Sequence, residues 1–130
     1  RELVVARLDA HEGFAGVKAS AWDQVGVQAY NHAGDLRYDL DLGAREVRCG
    51  GRAIELTGTE FIILEALVRG AGSVVSRNDL SREALGRRSS AFDRSLDVHL
   101  SNLRRKLGPL SDGGERIKTV RGVGYRFVDR

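Results

Sequence analysis

The 130-residue chain has a single cysteine, a single proline, one tryptophan and no methionine. One cysteine, Cys49, cannot close an internal disulfide, which fits a reducing compartment and leaves it an ordinary strand residue. No apolar run approaches the roughly 20 residues of a membrane-spanning helix, and the start carries no signal-peptide pattern. A cytoplasmic location, away from any membrane, is the expectation. The missing initiator methionine, with Arg1 opening on a helical pattern, reads as a fragment of something longer. His11, His32 and His99 stand apart, with no partner at metal-ligand spacing. Gly-x-Ser-x-Gly is missing, and Gly122-Val123-Gly124 lacks the rest of a dinucleotide fingerprint. Asp93 and Asp97 lie one helical turn apart, but their arginine neighbours suit capping and nucleic-acid work better than acid–base chemistry. These absences weigh against an enzyme, and no metal or organic cofactor is expected.

What is present is the composition of a globular domain, 42% apolar and 30% charged, long enough for one ordinary domain and too short for two. The net charge of +3 conceals an asymmetry. Residues 1–85 hold 10 Lys and Arg against 13 Asp and Glu, whereas residues 86–130 hold 11 against 5. A basic C-terminal third is the footprint of a polyanion-binding face, although charge alone equally describes a solvated surface.

Apolar residues Leu3, Val4 and Leu8 suggest a short helix over 1–12, and residues 13–34 read as an interdomain linker containing the isolated Trp22 and Tyr30. In 36–42, Leu36, Tyr38, Leu40 and Leu42 alternate with polar residues, the period of a half-buried strand. REVRC, the turn Gly50-Gly51 and RAIEL predict a hairpin. Thr57 and Glu60 form a capping-box pattern opening a helix to about Arg69, with Phe61, Leu64, Leu67 and Val68 on one face. Ser76 caps a second helix to about Leu85, and residues 86–92 form a loop. A third helix from about Asp93 to Leu107 buries Leu96, Leu100, Leu103 and Leu107 and stops at Gly108-Pro109. IKTV and GYRFV then form a hairpin. Strands, three helices and a terminal hairpin make an α+β domain.

The leucine stripe of the third helix turns Arg94, Ser95, Asp97, Val98, Ser101, Asn102, Arg104 and Arg105 outward. Such a face suits the major groove: Asn pairs bidentately with adenine, Val meets a thymine methyl, and arginines on the flanks neutralise phosphate. The hairpin, with Lys118, Thr119, Arg121 and Arg126 around a glycine turn, has the shape and charge for a narrow minor groove.

Four segments in order carry a family resemblance: LTGTEFIILEAL (56–67), VVSRNDLSREALG (74–86), DRSLDVHLSNLRRKLG (93–108) and IKTVRGVGYRF (117–127). They resemble the C-terminal effector domain of OmpR/PhoB-type response regulators, in its CpxR-like branch. The resemblance implies a winged helix-turn-helix: an N-terminal antiparallel sheet, three helices and a C-terminal β-hairpin wing, spanning 35–130. It makes 1–12 the last helix of a preceding phosphate-accepting receiver and 13–34 the linker. It further implies that Ser95, Asp97, Val98 and Asn102 face bases. Arg94, His99, Ser101, Arg104, Arg105 and Thr119 would meet phosphate, and Arg121 the minor groove. Tyr125 would support the wing, and the loop with Arg87, Arg88, Ser89 and Ser90 would contact RNA polymerase holoenzyme. Arginine in some relatives where Ser101 and Asn102 stand here prevents any transfer of sequence preference.

The function implied is sequence-specific binding of double-stranded DNA as the transcriptional output of a two-component, phosphorelay system. The implied partners are direct-repeat half-sites, a second copy of the chain on DNA, and a sensor histidine kinase acting through the receiver. The alternative is a winged helix that binds only protein. RNA binding fits less well, because the hairpin lacks stacked aromatics.

Overall fold

The computed structural model describes residues 2–6, 14–20, 26–31, 36–70, 73–87, 94–109 and 113–128. An antiparallel meander comes first, β1 (Glu2–Ala6), β2 (Phe14–Ser20), β3 (Gly26–Asn31), β4 (Leu36–Asp41), β5 (Glu46–Cys49) and β6 (Arg52–Ile54), paired in chain order. Helices α1 (Gly58–Arg69), α2 (Arg77–Leu85) and α3 (Ser95–Leu107) follow, with β7 (Val74–Ser76) between α1 and α2. Strands β8 (Ile117–Val120) and β9 (Gly124–Phe127) close the chain, in a second sheet ordered β7-β9-β8. This is the α+β winged-helix arrangement that the sequence predicts.

Two expectations are corrected at the N-terminal end. Glu2–Ala6 is a strand paired with β2, not helix. Three apolar positions cannot nucleate a helix alone, and the adjacent Val4 and Val5 favour extended backbone. Strands β2 and β3 likewise occupy much of 13–34, read above as a linker. Their pairing is a cooperative property of neighbouring strands and leaves no alternation to read in a Gly- and Ala-rich stretch. Trp22 lies outside the described residues.

From β4 onward the local chemistry sets the elements. Tyr38 pairs with Cys49 and Leu40 with Val47, so period-2 alternation puts all four side chains on one buried face. Gly50 and Gly51 both take positive φ, 59° and 82°, as a two-residue hairpin with the strands' right-handed twist requires. At α1 the capping box is complete: Glu60 N–H donates to Thr57 Oγ1 (3.2 Å) and Thr57 N–H to Glu60 Oε1 (2.9 Å). Thr57→Ala should therefore cost about 1 kcal/mol in chemical denaturation, the usual value of a lost N-cap. Ser76 caps α2, accepting from Asp79 N–H at 3.0 Å.

The core joins the sheet to the helices. Tyr38 and Leu40 of β4, Phe61, Ile63, Leu64 and Leu67 of α1, Leu80 of α2 and Phe127 of β9 are fully buried. All four leucines of the α3 stripe join them. Tyr38 and Phe127 meet edge to face, ring centroids 4.9 Å apart, and Arg116 donates to the Tyr38 hydroxyl. The core therefore holds α3 by one side and leaves the other to solvent. Among the described residues, no helix is long and apolar enough to cross a membrane.

Candidate nucleic-acid interface

Helix α3 carries three kinds of side chain besides its leucines. Arg94, Val98, Ser101 and Arg105 recur at intervals of four and three residues and are exposed, Val98 by 56%. This is the face opposite the buried stripe. Ser95 and Asn102 flank it, half-buried, so small polar, apolar and basic groups share one surface along a helix about 20 Å long. Gly108 then receives the chain, its N–H donating to the Arg104 carbonyl at 3.0 Å.

A second edge of α3 faces the wing. Asp97 and Arg104, two turns apart, do not point freely into solvent. Arg77, the first residue of α2, donates through Nη1 to Asp97 Oδ1 (2.6 Å) and through Nη2 to Asp97 Oδ2 (3.1 Å). The same Nη1 donates to the Tyr125 hydroxyl of β9 at 2.9 Å, and that hydroxyl lies 3.5 Å from Asp97 Oδ1. Arg94 adds a weaker attraction, 3.8 Å from Asp97 Oδ2. Arg104 donates through Nε and Nη2 to the Ile117 carbonyl and through Nη2 to Thr119 Oγ1 (2.8 Å), with its guanidinium carbon 5.8 Å from the Tyr125 ring centre. Tyr125, 7% exposed, thus joins α2, α3 and the wing.

A third edge faces α1. Lys106 Nζ donates to Glu60 Oε1 at 2.6 Å, although Glu60 is only 2% exposed. The capping carboxylate of one helix is therefore the counter-ion at the end of another.

These contacts shift acidities. The Arg77 hydrogen bond, reinforced by its charge and that of Arg94, holds Asp97 below its usual 3.8 against an opposing effect of burial. For Glu60, burial pushes the carboxyl up, but Lys106 and the Thr57 N–H outweigh it and leave it below 4.5. Arg77 is raised, chiefly by its hydrogen bond to Asp97. A carboxylate depressed in the folded state stabilises fully above its unfolded value and loses that stabilisation as pH falls through the folded value. The urea midpoint should accordingly drop as pH is lowered from about 5 towards 3, and Asp97→Asn should flatten that decline. An equally steep decline in the variant would remove Asp97 from the acid response.

The wing turn projects Arg121, Gly122 and Val123 into solvent, Val123 56% exposed. Gly122 takes φ 74°, and Val123 N–H donates back to the Val120 carbonyl at 3.0 Å. A groove of about 310 Å³ runs along the inner side of the wing, lined by Arg77, Thr119, Arg121 and Tyr125 among others.

The residues expected to contact nucleic acid therefore separate. Arg94, Val98, Ser101 and Arg105 share the exposed face, with Ser95 and Asn102 at its margins, and Arg121 is exposed at the wing tip. Asp97 and Arg104, read as base- and phosphate-facing, are engaged within the protein, and Thr119 is exposed but accepts from Arg104. His99 is half-buried. Arg87 is exposed and reaches Ser95 Oγ at 3.3 Å, whereas Arg88, Ser89, Ser90 and Asp93 lie outside the described residues. Arg77 and Lys106 were not singled out by the sequence. Their partners lie 20 and 46 residues away, and no local pattern announces such a pair.

Residues 51–127 match the family described as "Transcriptional regulatory protein, C terminal". The transcriptional regulatory protein CpxR of Klebsiella pneumoniae subsp. pneumoniae is 51% identical over 133 residues, 98% of this chain and 54% of that protein. The chain spans about half the length of the curated relatives it matches. Among solved structures, the DNA-binding domain of CpxR from E. coli is 48% identical, with a TM-score of 0.65 over 71% of this chain and 90% of that one. The Klebsiella pneumoniae RstA DNA-binding domain, in complex with RstA box, is 36% identical, with a TM-score of 0.62 over 70% and 90%.

Proposed function

The chain belongs to the family of C-terminal domains of transcriptional regulatory proteins, in its OmpR/PhoB-type, CpxR-like branch, and from that premise we propose how it binds duplex DNA and controls transcription. Helix α3 enters the major groove by its exposed face, and the wing enters the adjacent minor groove through Arg121. The observation that supports this reading is the seating of α3 and the wing: leucines hold one side of the helix, Arg77, Asp97, Tyr125 and Arg104 tie a second edge to the hairpin, and Arg94, Val98, Ser101 and Arg105 stay exposed opposite the leucines. A helix and wing already held in register present their contact faces to DNA without first having to be ordered.

Roles follow from position. Val98, Ser101 and Asn102 read base edges, with Ser95 beside them. Arg94 and Arg105 neutralise phosphate at the two ends of the face. His99 and Thr119 contribute phosphate contacts at the edges, and Arg104, bonded to Ile117 and Thr119, braces the base of the wing. The partners proposed with this reading are a second copy on direct-repeat half-sites, RNA polymerase holoenzyme at the loop beginning with Arg87, and a sensor histidine kinase acting through a receiver domain. The domain division proposed with it keeps 35–130 as the reading unit.

The test is selection of random duplexes against the chain, followed by affinity measured across a salt series. A defined motif whose affinity falls steeply with salt supports the proposal, since phosphate neutralisation releases counterions. Asn102→Ala should change the selected base at one half-site position and cost about 1–3 kcal/mol there. Salt-independent capture of a protein with no duplex bound would favour a protein-assembly module instead.

A further inference from the structure

The contacts of Asp97 assign it a different task from reading a base. Resting on the DNA-binding reading above, we propose that Arg77, Asp97 and Tyr125 form a gauge that fixes the wing relative to the recognition helix. The spacing between the major-groove and minor-groove contacts would then be a built-in specificity determinant.

Three observations carry this. Both Asp97 oxygens accept from one guanidinium, a two-point geometry that fixes orientation as well as distance. Arg77 uses Nη1 again on the Tyr125 hydroxyl, so a single side chain spans the start of α2, the first turn of α3 and the middle of β9. Arg104 completes the joint from further along α3, with its guanidinium near the Tyr125 ring and its donors on Ile117 and Thr119 of β8. Two points of attachment on one helix, Asp97 and Arg104, prevent the hairpin from both sliding along α3 and pivoting about it. Arg121 stands at the tip of that hairpin. Any rotation at the joint is therefore magnified at the residue that would enter the minor groove. Asp97, Arg77 and Tyr125 act on DNA through that placement and are positioning residues.

A duplex series tests this, in which an A·T-rich minor-groove segment is shifted one base pair at a time from the selected half-site. The unaltered chain should show a sharp optimum, losing about tenfold in affinity for a one-base-pair shift, as for one spoiled groove contact. Tyr125→Phe keeps the ring and removes the hydroxyl, and Asp97→Asn keeps the shape and removes the charge. In both, the penalty for the shift should shrink to about twofold while the base motif selected at the half-site stays the same. Arg77→Lys, which keeps charge but not the fork, should resemble them.

A changed base at one half-site position in Asp97→Asn, with the spacing optimum still sharp, would make Asp97 a base reader and overturn the proposal. Unchanged spacing in Tyr125→Phe, the mildest variant, would overturn it even if Asp97→Asn unfolds. Failure of the unaltered chain to select any duplex would instead sink the DNA-binding reading itself.

Discussion

Gly124→Ala is expected to destabilise the domain by about 3 kcal/mol, lowering the melting temperature by roughly 10 °C or more. Gly124 begins β9 and sits opposite both Ser76 of β7 and Val120 of β8. A methyl group built on it would lie 2.1 Å from the Val75 carbonyl oxygen and 2.8 Å from Ser76 Cα. Both obstacles are backbone, so no rotamer change relieves the clash, and the β7–β9 pairing must open. That pairing joins the wing to the segment before α2, and the adjacent Tyr125 carries the joint to α3. Loss of stability should thus be accompanied by loss of any duplex binding at temperatures where the residual fold persists. Gly122, two residues earlier in the same hairpin, is the control. It has open space around the same position and only its φ of 74° to protect, so Gly122→Ala should cost about 1 kcal/mol. Equal melting temperatures for the two variants would remove the steric argument.

Those two glycines show what the sequence makes legible. Read as a string, 122 and 124 are equivalent turn residues, and the turn itself is plain. That one needs a backbone angle and the other needs space depends on β7, a strand nearly fifty residues away. The same division runs through the fold. Capping at Thr57 and Ser76, the hairpin at Gly50-Gly51 and the α3 leucine stripe are local patterns, and each stands where the sequence places it. Strands β1 to β3 were missed because sheet pairing is non-local and their Gly- and Ala-rich segments carry little periodicity. At the candidate interface, periodicity turns seven α3 residues and the capping Arg94 away from the leucines. It cannot tell which of them meet solvent and which meet a neighbouring element. Asp97 and Arg104 belong to the second group, and only their partners across the chain show it.

Lys106 presents the same problem in energetic form, and its replacement is expected to have the other large effect. Lys106→Met should cost about 3 kcal/mol at pH 7, because it strands the Glu60 carboxylate, 2% exposed, which among the described residues then keeps its capping contact from Thr57. The pH dependence separates charge from packing. With Lys106 present, Glu60 lies below 4.5, and its stabilisation is lost as acid titrates the folded carboxylate. Without Lys106, burial, the largest influence on Glu60, should raise its folded value above the unfolded one. The variant would then gain stability from proton uptake as pH falls through that raised value, where the unaltered chain gains none. The gap between them should therefore narrow as pH falls from 7 towards 4, read from urea midpoints. Adding Glu60→Gln to Lys106→Met should close most of the gap at neutral pH, since glutamine keeps the capping-box geometry without a charge to bury. If the gap is instead constant with pH and the double variant is no better than the single, Lys106 holds α3 against α1 through its methylene stem, and the ion pair adds nothing.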